Sequence, residues 1–351
     1  MILVAHRWGR LVAAAAALAL LCACATVDNA DSRMEAINRN ITDARNKAIL
    51  LNIARASYGH PLNFVAITSI GGNRSLGGGF GLPSLILGPT LGSDPRHYVF
   101  GGNAVSGSAS NNFNINPLES KEFYTGLLAP LDLETAQFFI SQGFPREIVF
   151  YLFVDWLVIR GSGGTAHVAN DPDSPAFSRF VDYMHRAVDY GLSLERFGPS
   201  NAARLCFDEA RALKPLGSLG PVCGDGQPSK GIRNFVEGAY GAVTVELKIR
   251  STYQIFQYLG RLSRRDASGK VALVSPELQR AGEARPGLFP LLREDAGEFC
   301  LTSVQYSREH LCVPFDGNEI GGRVLDLLSI LVALSSSVRD LPTMQTIRIT
   351  Q

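Results

Sequence analysis

Between residues 34 and 51 the apolar positions recur in steps of three and four: Met34, Ile37, Ile41, Ala44, Ala48 and Leu51. That spacing predicts an amphipathic helix with one apolar stripe, packed on the chain's own sheet or, as the alternative, joined to a partner helix. Asp31 or Ser32 can cap its start, and Gly59, ahead of His60 and Pro61, stops it. "PLNFVAITSI" then has strand composition. From Gly71 to Asn112 the chain is rich in Gly, Ser, Asn and Pro, which predicts turns and loose β structure. Within it, "AVSGSASNNFNIN" changes to strict alternation. Val105, Gly107, Ala109, Phe113 and Ile115 fall on one side; Ser106, Ser108, Ser110, Asn112 and Asn114 fall on the other. Period two over that length predicts a long strand with one face covered.

Helical periodicity returns in "PLESKEFYTGLL" and "DLETAQFFISQ", the second with Asp132 as N-cap and Gly143 as stop. "EIVFYLFVDWLVIR" is apolar and β-prone, and is expected as a central strand. "GSGGTAHVANDPDS" has the composition of a linker between subdomains. Pro175, behind Ser174, opens a helix whose inner face carries Phe177, Phe180, Val181, Met184 and Val188. "AVTVELKI" is a strand leading into "RSTYQIFQYLGRLSRR", where Ser251 and Gln254 form a capping-box pair. "FCLTSVQYSREHLCV" has the pattern of a hairpin centred on Tyr306. "GRVLDLLSILVALSSS" is a helix with Val324, Leu327, Leu328, Leu331 and Leu334 toward the core, and "TIRIT" is a last strand. Sheet and helix without regular βαβ repetition give an α+β fold, a mixed sheet with packed amphipathic helices and a Gly-rich β segment.

The first residues add an address. Arg7 and Arg10 precede "LVAAAAALALL", eleven uncharged residues from Leu11 to Leu21. Eleven is short for a membrane span, which takes about 20, and suits the apolar centre of a secretory signal. "LCAC", Leu21 to Cys24, resembles the lipobox of bacterial lipoproteins. The resemblance implies cleavage before Cys24 and acylation of that residue, with Cys22 in a slot that usually holds Ala, Ser, Thr or Val. Ala25 rather than Asp at the next position implies sorting to the periplasmic leaflet of the outer membrane. Three acyl chains exceed the two signals that stable anchoring takes, at about 0.8 kcal/mol per buried methylene. The expected division is a signal peptide over 1–23, a lipidated tether over 24–30, and regions 31–160 and 161–351. The tether spans at most about 25 Å, which keeps the body beside the bilayer.

"AILLNIARASYGHPLNFVAITSI", "NPLESKEFYTGLLAPLDLETAQFFISQGFPREIVFYLF", "RSTYQIFQYLG" and "LSILVALSSSVRDLP" resemble an uncharacterised family of proteobacterial outer-membrane lipoproteins. That resemblance implies no activity and no functional residue.

Charge and cysteines refine the picture. Loss of Arg7 and Arg10 with the leader takes Lys plus Arg from 33 to 31 against 32 acids, a formal change from +1 to −1. Such balance argues against nucleic acid as a partner. A hydrophobic content of 46% supports a packed core. Cys206, Cys223, Cys300 and Cys312 remain for an oxidising compartment. The hairpin around Tyr306 would set Cys300 opposite Cys312, leaving Cys206 to Cys223.

Candidate chemistry is sparse. The six histidines, at 6, 60, 97, 167, 185 and 310, stand apart, and neither HExxH nor GxSxG occurs. "GGGFG" and "GDGQPSKG" match no phosphate loop. Asp171 and Asp173 in "NDPDSP" lack the other ligands of a calcium loop and are expected as a solvated turn. His185 is expected at the surface. Arg261, Arg264, Arg265 and Lys270 suit a helix C-terminus. Asn52 and Arg55, flanking the first apolar stripe, are expected to bond a neighbouring backbone. The expectation is a non-enzymatic, cofactor-free lipoprotein that meets membrane lipid through Cys24 and protein partners in the envelope, possible homo-oligomers included. The alternatives are a small-ligand binder, with its pocket under the apolar loop Leu82 to Leu87, and a subunit of an oligomeric outer-membrane channel.

Overall fold

The computed structural model describes residues 30–77, 106–217, 219–226, 232–233, 244–266, 292–293, 300–315 and 320–336. Cys24 with its leader, the loop Leu82 to Leu87 and "TIRIT" lie outside them. The architecture is α+β, with every ladder among the described strands antiparallel.

Helix α1 (Ala30–Ser57) runs 28 residues. It ends where the sequence predicts, Gly59 donating to the Ala56 carbonyl at 3.1 Å. Burial along it differs from expectation. Ile49, Leu50, Ile53, Ala54 and Ala56 are buried in its last turns. The predicted stripe is only half-covered at Ile37, Ile41, Ala44, Ala48 and Leu51, and Met34 is 62% exposed. The last turns of α1 meet α6 (Thr252–Asp266) at Gly260, where a Cβ would stand 2.6 Å from the backbone of Ala56 and Ser57. The close crossing therefore requires glycine.

After α1 come strands β1 (Val65–Gly77) and β2 (Ser106–Pro117), which among the described residues pair only with each other. Helices α2 (Lys121–Leu128) and α3 (Leu133–Ser141) follow. Ser120 Oγ accepts from Phe123 N at 3.0 Å, and Asp132 Oδ1 from Thr135 N at 2.7 Å, both as N-caps. Gly143, with φ +87°, ends the second.

The run expected as one central strand divides. Arg146–Phe153 is helix α4, every residue buried, and Val154–Gly161 is strand β3, with no residue between them. A wholly apolar segment carries no period to separate helix from strand. The stretch expected as a linker is strand β4 (Gly164–Ala169), joined to β3 by a two-residue turn and paired from Gly161↔Gly164 to Trp156↔Ala169. Hairpin turns and linkers share glycine and serine, so composition alone does not distinguish them. On its other edge β3 pairs with β8 (Thr244–Ile249), which carries the short β7 (Ile232–Arg233), in the order β4-β3-β8-β7.

Helix α5 (Phe177–Asp189) buries Phe177, Phe180, Val181, Met184 and Val188 as predicted. Hairpin β5 (Leu192–Phe197) and β6 (Ala202–Phe207) stands as its own ladder. A three-stranded sheet, β10-β11-β9, comprises β9 (Leu292–Arg293), β10 (Cys300–Tyr306) and β11 (Glu309–Pro314). Helix α7 (Ile320–Ser335) buries Val324, Leu327, Leu328 and Leu331, but Leu334 is 62% exposed. Ser335 takes the inner place instead, against Gly126 of α2. One contiguous core joins these elements, with Phe64, Phe123, Phe153, Phe180, Phe207 and Phe256 among its aromatic members.

Candidate interaction surface

The β1–β2 ribbon is built from its root upward. Asn52, 2% exposed, presents its whole amide to the backbone of Asn63: Nδ2 donates to the carbonyl and Oδ1 accepts from the N–H, each at 2.8 Å. Arg55 supports the same oxygen from 3.3 Å. The expectation of a bond to a neighbouring backbone is met by Asn52, whereas the Arg55 guanidinium bonds the Asn52 side chain instead. One residue on, Phe64 inserts between Phe123 and Phe256, with ring centroids 5.6 and 5.3 Å away. Leu118 N closes the base by donating to the Phe64 carbonyl at 2.9 Å. Both strands thus leave the body through a root fixed by a helix and three aromatic rings.

Above the root the register runs from Val65↔Pro117 to Gly77↔Ser106, with a shift between Ile67 and Ser69 that leaves Thr68 as the extra residue. The bulge has a purpose readable in the sequence. Ile67 and Ile70 are three apart and would fall on opposite faces of a regular strand. With the shift they stand in register with Ile115 and Phe113. The alternate rows then read Ser69↔Asn114, Gly71↔Asn112, Asn73↔Ser110, Ser75↔Ser108 and Gly77↔Ser106. Above the bulge this set of rows holds only Ser, Asn and Gly; the other holds the ribbon's Ile, Phe and Leu, along with Gly72, Arg74, Gly107, Ala109 and Asn111. Both outer edges are unpaired among the described residues, and across 13 and 12 residues the only charge is Arg74.

The cysteines form the two expected pairs. Cys206 of β6 bonds Cys223, with Cα atoms 4.9 Å apart. Beneath that loop Arg204 Nε donates to Glu195 at 2.7 Å and its Nη2 to Asp225 at 2.9 Å, with the guanidinium 3.8 Å over the Phe197 ring. Burial works to lower the Arg204 pKa, but hydrogen bonds and charge from Glu195 and Asp225 outweigh it, leaving it raised. Glu195 and Asp225 also accept from Gly224 N and Val222 N, so one ion cluster holds both sides of the disulfide loop.

Cys300 bonds Cys312, with Cα atoms 5.6 Å apart, but the geometry is not the directly opposed one expected. The turn falls at Ser307 and Arg308, both at positive φ, later than the Tyr306 centre. Cys300 is therefore in register with Pro314, and Cys312 with Ser303. A shift between Cys300 and Thr302 still leaves the two sulfurs within reach.

The densest buried polar cluster involves a residue that sequence reasoning passed over. Arg250, 1% exposed, donates through Nη1 to the carbonyls of Tyr151 and Leu152, at 3.3 and 3.2 Å, and through Nη2 to the Asn170 carbonyl. Its Nε lies 3.3 Å from Asp155, and its plane lies 4.0 Å from the Tyr258 ring centroid. Asn170 Nδ2 adds bonds to the Tyr151 and Val154 carbonyls at 2.9 and 2.7 Å. The last carbonyls of a helix have no partner within it. Here Arg250 and Asn170 supply partners at the end of α4, which lets strand β3 begin at the next residue. Burial lowers the Arg250 pKa to about 10, against support from Tyr258 and Asp155, so it is cationic at neutral pH. The only signal for it in the sequence is an Arg directly ahead of the Ser251 capping box. That box forms as predicted, Ser251 N donating to Gln254 at 2.8 Å and Gln254 N to Ser251 at 3.2 Å.

The structure also joins two stretches treated separately in the sequence. Asp171 lies 3.5 Å from Arg261 and Asp173 3.7 Å from Arg264, so the acidic turn pairs with the basic end of α6. His185 is half-buried, its ring edge-on to Tyr151 at 5.9 Å. Among the described residues, no group of three His, Cys, Asp or Glu could hold a metal ion, and no helix is long and apolar enough to cross a membrane. Compared with protein-family models, with curated proteins and with solved structures, the chain matches none.

Proposed function

We propose that this chain is a lipid-anchored envelope protein that acts by contact, as a non-enzymatic component of a larger assembly on the periplasmic face of the outer membrane. The observation that carries the reading is the β1–β2 ribbon, held at its root by Asn52 and Phe64 and, among the described residues, open along both edges. Open edges are templates for pairing with another chain, and self-contained proteins blunt them with charge, proline or cover. A single charge over the ribbon provides little such protection. The half-covered stripe of α1 offers a second apolar contact surface. The lipobox resemblance supplies the anchor at Cys24, and the two disulfides suit an oxidising compartment.

Crosslinking in intact producing cells, followed by affinity purification, tests the reading: the chain is recovered in covalent complexes. A chain that stays monomeric and uncrosslinked overturns it. Globomycin treatment tests the anchor separately by accumulating uncut precursor. A Cys24→Ala protein that still fractionates with membranes argues against acylation.

A further inference from the structure

We infer that the missing partner of each ribbon edge is a second copy of this chain, with β2 of one protomer pairing antiparallel to β1 of the next until the ring closes as a membrane-spanning β-barrel. The inference rests on the contact reading above and names its partner.

Three observations point to it. First, an isolated two-stranded ribbon is marginal in water, yet this one continues for 13 and 12 residues from a root fixed on both strands. Second, the two open edges belong to different strands of opposite direction. Joining β2 to the neighbour's β1 extends the same antiparallel ladder. The contact is head-to-tail, and such contacts close into a ring where the rotation per copy divides a full turn. Pairing β1 with β1 would instead give a dimer that still exposes both β2 edges. Third, above the bulge at Thr68 the rows sort into an uncharged Ser/Asn/Gly set and a set that gathers Ile67, Ile70, Leu76, Phe113 and Ile115 together with Asn111, Ala109, glycines and, toward the far end, Arg74. A barrel between water and lipid sorts its residues by alternate rows in this way, and tolerates a charge such as Arg74 on the outer set only toward an end of the span.

Length agrees with this. A transmembrane β-strand takes about 9–11 residues, fewer than either strand provides. In lipid every backbone N–H and C=O needs a protein partner, so an open ribbon cannot remain there and a closed ring can. Bacterial barrels begin at about eight strands, or about four copies at two strands each.

The test uses the full-length chain in its own membrane. Ser75→Cys with one affinity tag is co-expressed with Ser108→Cys carrying another, and likewise with Ser106→Cys and Ser110→Cys to cover a register offset. A short bis-maleimide is then added. Cys206, Cys223, Cys300 and Cys312 are bonded in pairs and do not react. The expected result is a cross-tag product with at least one of the three partners. Detergent-extracted particles should contain four or more copies and give discrete conductance steps in a planar bilayer. Ser75→Cys crosslinking only to itself overturns head-to-tail closure. Particles that never conduct overturn the membrane-spanning barrel. Absence of every cross-tag product, with both disulfides intact by peptide mass, overturns the ring. If the chain then crosslinks to a different envelope protein, the contact reading stands without the ring. If it crosslinks to nothing, both fall.

Discussion

Asn52 holds the backbone of Asn63 as a neighbouring strand would, donating to its carbonyl and accepting from its N–H at 2.8 Å each. A helix side chain thereby completes hydrogen bonding where β1 leaves the body. Asn52→Ala removes both bonds, and a lost buried pairing costs about 1–3 kcal/mol. Water can reach the exposed Asn63, which places the expected loss toward the lower end. Asn52→Asp keeps the acceptor but sets a carboxylate against the Asn63 carbonyl, and should restore little. Urea unfolding measures the loss, and limited proteolysis between Tyr58 and Phe64 reports the loosened root.

Arg250 binds the end of α4 to β3, the 170–171 turn and α6. Removing one partner of a buried ion pair costs about 3–5 kcal/mol. Arg250→Ala also leaves the carbonyls of Tyr151 and Leu152 with fewer donors. Arg250→Lys keeps the charge but loses the fork that reaches three carbonyls, and should recover less than half of the stability. Unfolding midpoints of the three proteins in urea decide it.

The disulfides enclose separations of 17 and 12 residues. In the chain-entropy model each is worth about 3 kcal/mol. Dithiothreitol should lower the melting temperature. Non-reduced peptide mapping should find Cys206 joined to Cys223 and Cys300 to Cys312, with no exchange between pairs. Each bond joins a buried cysteine, Cys206 or Cys312, to a half-buried one, Cys223 or Cys300, so the two should reduce over the same range of dithiothreitol.

Alkaline pH should unfold the protein. Burial pushes Tyr258 up to about 12 and raises Tyr151 well above its ordinary value. Between pH 10 and 12 the unfolded chain releases protons that these folded tyrosines keep, so stability falls as pH rises. Arg250 works in the other direction, since its folded-state proton leaves near 10, earlier than in the unfolded chain. The pairing of Lys214 with Asp189 is also lost as the ammonium deprotonates. Two tyrosines and a lysine outweigh one arginine, and the unfolding midpoint drops above pH 10. Of the ten tyrosines, two should show tyrosinate absorbance only as the chain unfolds.

Elements with edges and periods were legible in the sequence. Asp132 and the Ser251–Gln254 pair cap their helices as written, and the inner face of α5 follows its spacing residue for residue. The cysteine pairing followed from even count and hairpin pattern, although the turn sits beyond Tyr306. The helix–strand division at Phe153 was not legible, because the residues that permit it, Asn170 and Arg250, are distant in sequence. The ribbon was half legible. Alternation marked β2 plainly and composition marked the start of β1, while the phase break from Ile67 to Ile70 hid which of its residues share a face until the bulge explained it.

The direct passage from Phe153 to Val154 leaves that joint no slack. One inserted residue would turn the preceding helix by about 100° and send every β3 side chain to the other face. Natural variants of the chain should therefore share an unvarying count of residues from Arg146 to Gly161, with any change of length falling beyond it, in the reverse turn at Ser162–Gly163.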